Sequence, residues 1–303
     1  MTDEPLLLSD ILDDPSLQRV LVDPDEVSKF TSEDDYMSLA VELFKEIGII
    51  TLLVAGLYRH DETGSPTAWT RNDAIIGGLF IRLSKMQRGM LDAVCQQRAE
   101  IAHLLSRCLF ETVINLRYLL IESSDALYDA YVEYSLREEK RLLKLIERKV
   151  DSRGHELPIE GRMKASIMKA FRNSGVLPDS VDEKKRAAWG GSVYKRAERV
   201  GFSEGYIALM ALPSHVIHGN WQDLLMYHLD RSGNAFEPRP EWTMPRPQMV
   251  FAAAFLSAEI CKLYLAECFE GTDGLDAVLE RIDDFASRVK LADELHEKHL
   301  HPD

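Results

Sequence analysis

Apolar residues recur at helical spacing along most of this chain. Ala40, Leu43, Phe44, Ile47, Ile50 and Val54 fall at steps of three and four, the mark of a helix with one face in a core. Thr31 and Ser32 precede Glu33, Asp34 and Asp35, so hydroxyl caps are followed by acids that suit the positive end of a helix. Ile75, Ile76, Leu79, Phe80, Leu83 and Met86 form a second stripe. Thr70 and Asp73 open it as a capping box, with Asp in place of the usual Glu. A long helix is expected from about Gln96 to Ile121. Ser123, Ser124 and Asp125 start another that runs to about Val150. Phe202 and Ser203 open a helix containing Pro213. Proline has no N–H to donate and crowds the preceding turn, so a kink or a fresh start is expected there. Pro247 suits the first turn of a helix to about Phe269, apolar nearly all round and therefore central. Leu275, Val278, Leu279, Ile282, Phe285 and Val289 mark a last amphipathic helix.

Between these segments, Gly64 and Pro66 place a loop at 60–69, and Pro238, Pro240, Pro245 and Pro247 a rigid loop over 230–247. No strand alternation and no internal repeat stands out. The expected class is all-α, an antiparallel helical bundle with short connections. Four regions divide the chain: an acidic arm at 1–36, a first bundle segment at 37–150, an inserted basic helical subdomain at 151–200, and a second bundle segment at 201–303. Gly154, Pro158, Gly161, Gly175, Pro178, Gly190 and Gly191 punctuate the insert.

Charge changes this picture. The net charge of −14 argues against bulk, sequence-independent binding to nucleic acid. It is unevenly spread: residues 1–35 carry a net −9, residues 137–199 a net +7. The basic block is either a set of solvated helix faces or an anion-binding surface for RNA or a nucleotide. The arm is expected to lie against that block, in the same chain or in a dimer partner, helped by Leu6, Leu7, Leu8, Val20 and Leu21. At 46 % hydrophobic the chain can build an ordinary globular core. No apolar stretch is expected to reach the length needed to span a bilayer; the best candidate, Ile47 to Leu57, is short and contains Gly48 and Gly56. The acidic start does not resemble a secretory signal, so the expected location is the cytoplasm, away from membranes. Cys95, Cys108, Cys261 and Cys268 form no Cys-x-x-Cys pair and are expected as reduced, buried thiols.

The segment richest in candidate chemistry is Glu100 to Glu122. Glu100, His103, Arg107, Glu111, Asn115, Tyr118 and Glu122 share one slowly drifting face of a helix that is otherwise apolar. Such a stripe must be paired inside or line a groove, because an unpaired buried charge costs several kcal/mol. Arg107 and Glu111 can pair at i,i+4, either to fix helix register or to form an anion site. A second constellation is Pro213-Ser214-His215-Val216-Ile217-His218-Gly219, in which Ser214 and His218 face the same way and His218 can serve as an acid or base near neutral pH. Glu100-x-x-His103 is half of a di-iron carboxylate site, and no second pair follows. There is no His-Glu-x-x-His, P-loop, Gly-x-Gly-x-x-Gly or Gly-x-Ser-x-Gly. His296, His299 and His301 read as a frayed tail. No metal and no cofactor is expected.

Arg107-Cys-Leu-Phe-Glu111-Thr-Val-Ile-Asn-Leu-Arg117-Tyr118, followed by Ser214-x-x-x-His218-Gly219 with Trp189 between, resembles a family of bacterial all-helical domains of unknown function. That family in turn resembles the HEPN superfamily. The resemblance covers roughly residues 70–265. It implies a helical bundle, often dimeric, whose active members are metal-independent ribonucleases using an Arg followed by a His after four to six residues. It also implies a role in phage defence or beside a cognate antitoxin. Arg98 to His103 fits that spacing; Arg148 to His155 fits it too, across a helix end at Gly154. Arg107 and His218 are the alternative, converging from different helices. Two readings therefore stand. One is a metal-independent ribonuclease or nucleotide-processing protein using His218, Arg107, Glu111 and Ser214, or Arg98 and His103. The other is a non-catalytic helical module that binds a nucleotide, a small anion or a partner protein.

Overall fold

A computed structural model describes residues 8–57, 65, 67–183 and 189–301. Leu6, Leu7, Gly64 and Pro66 lie outside the described residues. The element order is α1 (Leu8–Asp13), α2 (Pro24–Val27), α3 (Glu33–Ala55), α4 (Arg71–Cys95), α5 (Ala99–Ile121), α6 (Asp125–Ser135), α7 (Arg137–Arg153), α8 (Pro158–Ser174), α9 (Val193–Arg199) and α10 (Ser203–His218). There follow a short turn α11 (Trp221–Asp223) running into a π turn (Leu224–His228), a hairpin of β1 (Leu229–Ser232) and β2 (Ala235–Pro238), then α12 (Pro247–Cys268) and α13 (Leu275–Leu300). The fold is all-α, as the periodicity indicates.

Local signals start these helices where the sequence places them. Ser32 and Asp35 form a reciprocal capping box on α3, and Thr70 and Asp73 do the same on α4. Ser124 caps α6, and Pro247 opens α12. The segment expected to be one helix to Val150 is two, divided at Leu136. The proline-rich stretch is more than a loop, since β1 and β2 pair antiparallel from Leu229–Pro238 to Ser232–Ala235. Gly233, at φ 61°, supplies the left-handed turn residue, and Pro238 sits at the strand end, where no ladder N–H is needed.

α3, α4, α5, α12 and α13 pack into one core through Leu43, Phe44, Phe80, Leu83, Leu116, Phe251, Ile260 and Phe285. α12 contradicts the expectation that no segment is membrane-length, because it is long and apolar enough to cross a membrane by length and composition. Here it packs against α3, α5 and α13, with both sides of its surface buried. α7 and α8 form a hairpin with an apolar cluster of its own: Leu136, Leu143, Ile146, Ile167, Phe171 and Val181.

Within the chain, residues 8–36 of the acidic arm do not lie on the basic block. Leu8 and Ile11 are buried in the main core with Leu17, Val20 and Val22 packed beside them, and α1 contacts α3 and α13. The cause is an ionic knot that charge counting misses. Glu46 of α3 accepts from the Val20 N–H at 2.9 Å, from both terminal nitrogens of Arg288 at 2.8 Å and from Arg281 at 3.0 Å. Arg19 pairs with Asp284. His296 is not a frayed end either; it is fully buried, 2.7 Å from Glu33 Oε1 and stacked on Tyr36.

Candidate functional site

The polar stripe of α5 divides between two environments, and α10 is the wall between them. Toward the C-terminal half, each stripe residue meets α9, α10 or the turn before α9. Asn115 Oδ1 accepts from Arg196 Nε at 3.1 Å. Tyr118 packs on the Trp189 ring, and Glu122 pairs with Arg199. Toward the N-terminal half, Glu100 is buried and accepts the Thr243 N–H at 3.4 Å, while His103 lines a cavity with Ala99, Ser106 and Phe110. Leu209 and Pro213 of α10 face that cavity; Met210 and Ser214 face Arg107.

Arg107 is the centre of the first environment. Its Nε donates to Ser214 Oγ at 3.3 Å. Its Nη1 donates to Glu111 Oε2 at 3.1 Å and approaches Met210 Sδ at 3.3 Å. Its Nη2 makes no hydrogen bond with the described residues. The Arg107 side chain keeps 18 % of its surface exposed and that of Glu111 keeps 40 %, so the pair is part-exposed and not sealed in the core. α10 runs through Pro213 as one helix. Proline leaves its i−4 carbonyl without a helical partner, and one residue on, Ser214 Oγ donates to the Met210 carbonyl. That bond fixes the hydroxyl so that its lone pairs are offered to Arg107.

His218 lies at the C-terminal end of α10, one turn beyond Ser214, before Gly219 at φ 55°. It is exposed and forms no hydrogen bond with the described residues. The structure therefore joins Arg107, Glu111 and Ser214 directly and leaves His218 outside their hydrogen bonds, roughly 6 Å along the helix from Ser214 by helical rise. Arg98 and His103 are not brought to this cleft. Arg98 is exposed, with its guanidinium 5.5 Å from the Trp242 ring centroid. Burial pushes the His103 imidazole below its ordinary value, against the opposing pull of Glu100.

Arg196 belongs to the site and went unnoticed in the sequence. It is buried, stacks at 4.2 Å on the Trp189 ring, and donates through Nη1 to the carbonyls of Trp189 and Gly191 at 3.2 and 2.8 Å. Burial lowers its basicity, and the Glu111 carboxylate opposes that shift. Glu111 thus stands between two arginines. The available signal was the Trp189 to Arg196 spacing inside the basic block, which looked like surface charge. Among the described residues no group of three or more His, Cys, Asp or Glu side chains is placed to hold a metal ion.

Residues 73–236 match a family of unknown function, DUF5677. The chain belongs to this family. The matched span begins in α4 and ends in β2, so it contains Arg107, Glu111, Asn115, Trp189, Arg196, Ser214 and His218, and it leaves out α12 and α13. This membership gives the kinship with a family of unknown function that the motif suggested. No curated protein and no solved structure matches the chain.

Proposed function

We propose that this protein is a HEPN-like, metal-independent ribonuclease acting in the Arg107 cleft. The observation that carries the reading is the state of Arg107: Nε and Nη1 are held, Nη2 has no partner among the described residues, and the side chain keeps 18 % of its surface exposed. A guanidinium fixed in this way is preorganised to meet a phosphate oxygen and to stabilise charge developing there. RNA brings its own nucleophile, so the protein needs only a cation and a group that moves protons. The ribose 2′-oxygen attacks phosphorus and the bond to the 5′-oxygen breaks, leaving a 2′,3′-cyclic phosphate and a 5′-hydroxyl. His218 takes the 2′-hydroxyl proton, and a proton returns to the departing 5′-oxygen. Arg107 Nη2 faces the phosphorane oxygens. Glu111 and Ser214 are positioning residues that act through Arg107.

The α7–α8 hairpin supplies a surface to hold the substrate. Arg148, Lys149, Arg162, Lys169 and Arg172 are exposed there and form no ion pair with the described residues. Such charges bind phosphates with little regard to sequence and in a salt-dependent way. A cytoplasmic, dimeric protein of phage defence, held by a cognate partner until triggered, is the setting this reading fits.

The test is cleavage of 5′-labelled RNA by purified protein in excess EDTA, together with growth and total-RNA integrity on expression in bacteria. Wild type is expected to yield 2′,3′-cyclic phosphate ends and to arrest growth. His218→Ala and Arg107→Ala are expected to lose both effects, each by about 10²-fold or more in rate. Intact RNA with wild type, or equal cleavage by all three proteins, overturns the reading. Specific RNA retention without cleavage would favour the binding module, which the existing Glu111 and Ser214 bonds to Arg107 also support.

A further inference from the structure

On the other side of α10 lies a cavity of about 680 Å³, within the range that encloses a small molecule. Its wall includes Phe110, Tyr227 and the thioethers of Met226, Met244 and Met249, from α5, the π turn, the loop before α12 and α12 itself. Methionine sulfur is polarizable and adapts to flat rings, which it contacts favourably. The site is thus apolar, and deformable in the way that suits an aromatic body.

Its polar groups have one chemical bias. Asp293 of α13 lines the cavity and forms no hydrogen bond or ion pair with the described residues. Burial raises its carboxyl above the ordinary range, and Glu297, one turn on, raises it further, with His296 opposing. Glu297 also lines the cavity, at its solvent-exposed side, and among the described residues its carboxylate receives only a 3.4 Å contact from Gln248 Nε2. Gln248 Oε1 is buried without a donor, and so is Glu100 Oε2, held beside the wall through Thr243. His103 is kept toward its neutral form by burial, so it brings no countercharge. The one cation in the lining, Arg246, is exposed and pairs with neither carboxylate. Acceptors without donors and carboxylates without a cation define what is missing: a positively charged N–H donor on an apolar body.

We propose that this cavity is a binding site for an aromatic amine, whose ring lies among Met226, Met244, Met249 and Phe110 and whose ammonium pairs with Asp293. The site is separate from the Arg107 cleft, and its test does not depend on the ribonuclease reading. Because Leu209 and Pro213 form part of its wall, a bound amine presses on the same helix that carries Ser214 and His218.

Isothermal titration of the full chain with three indoles of similar size tests this: tryptamine (cation), tryptophol (neutral) and indole-3-propionate (anion). Tryptamine is expected to bind once per chain, about tenfold or more tighter than tryptophol, with indole-3-propionate weakest. Asp293→Asn should remove the preference for tryptamine while leaving tryptophol affinity unchanged. Ala252→Phe, which fills the cavity from α12, should abolish both. Circular dichroism melts check that each variant is folded. Asp293→Asn alone decides the charge pairing if the larger side chain disturbs α12. Absence of tryptamine binding, indole-3-propionate binding as tightly, or an unaltered tryptamine preference in Asp293→Asn overturns the proposal.

Discussion

Arg107 Nε donates to Ser214 Oγ at 3.3 Å, joining α5 to α10 across 107 residues of sequence. Complete burial of the Arg107–Glu111 pair would make loss of either partner cost about 3–5 kcal/mol, through a stranded charge. Partial exposure changes that figure, because the Glu111 side chain keeps 40 % of its surface and water can solvate it when Arg107 is removed. Arg107→Ala is therefore expected to cost about 1–2 kcal/mol and Ser214→Ala about 1 kcal/mol. Their coupling in a double-mutant cycle, read by urea denaturation, should be about 0.5–1.5 kcal/mol. Strict additivity would mean that the contact does not link the two helices.

Glu46 and Arg288 are the opposite case. Glu46 is fully buried at its side chain and Arg288 keeps 8 % exposure, with two bonds of 2.8 Å between them. Arg288→Met removes two of the three guanidinium bonds to the buried Glu46 carboxylate, leaving only Arg281, and also frees the Val20 carbonyl. We expect a loss of about 3–5 kcal/mol, larger than any single change in the Arg107 cleft. Proteolysis should then begin within residues 8–36, whose backbone this knot holds. A variant as stable as wild type, with the arm still protected, would show that the knot contributes nothing net.

The cysteines separate by environment. Cys261 is fully buried on α12, 3.7 Å from Thr51 Oγ1, and burial pushes its thiol up to about 12. Cys95, at the end of α4, is exposed, against the expectation of four buried thiols. Iodoacetamide at pH 8 should modify Cys95 first and leave Cys261 untouched until the protein unfolds. Mass mapping of the native protein checks this, and early labelling at Cys261 would count against the packing of α12.

How much of this was legible follows the range of the interactions. Ser32 with Asp35, Thr70 with Asp73, and Pro247 are signals within one turn, and each starts its helix where the sequence indicates. Arg107 and Glu111 were readable as a pair because i,i+4 neighbours must meet. Arg196 was not, since its partners Asn115, Trp189 and Gly191 gather only when α9 folds onto α5. His296 looked like a tail residue because nothing nearby in sequence announces Glu33 and Tyr36. The arm was misplaced for the same reason. Net charge pointed to the basic block, whereas specific hydrogen bonds, from the Val20 N–H to Glu46 and from Arg288 to the Val20 carbonyl, decide its position.

Among the described residues, Glu100 and His103 belong to no group of three or more His, Cys, Asp or Glu side chains that could hold a metal ion. Glu100 is engaged by the Thr243 N–H, and His103 faces a wall of Tyr227 and Phe110. Protein purified without a histidine tag is expected to hold no stoichiometric transition metal, as read by elemental analysis. One equivalent of iron, manganese or zinc would require a ligand set other than the described residues provide.

The last prediction uses His103 as a reporter of its cavity. Burial holds its imidazole below the ordinary value of roughly 6.5, and the nearby Glu100 opposes this. Its neighbours there are Tyr227, whose ring centroid is 5.9 Å away, and Glu100 on the same helix. In the unfolded chain the imidazole takes a proton as pH falls through about 6.5, while in the native state it resists until a lower pH. The unfolded state then binds more protons, so His103 costs the fold nothing above that value and destabilises it progressively below. The loss begins near pH 6.5 and stops growing once the pH is below the depressed native value. His103→Gln keeps a polar side chain of similar reach and removes the titration. Urea midpoints measured from pH 8 to pH 5 should show a constant difference between variant and wild type at the alkaline end. Below about pH 6.5 the difference should shift in favour of the variant. Parallel curves over the whole range would mean that His103 is as well solvated as in the unfolded chain, and that the cavity wall is open to water at this point.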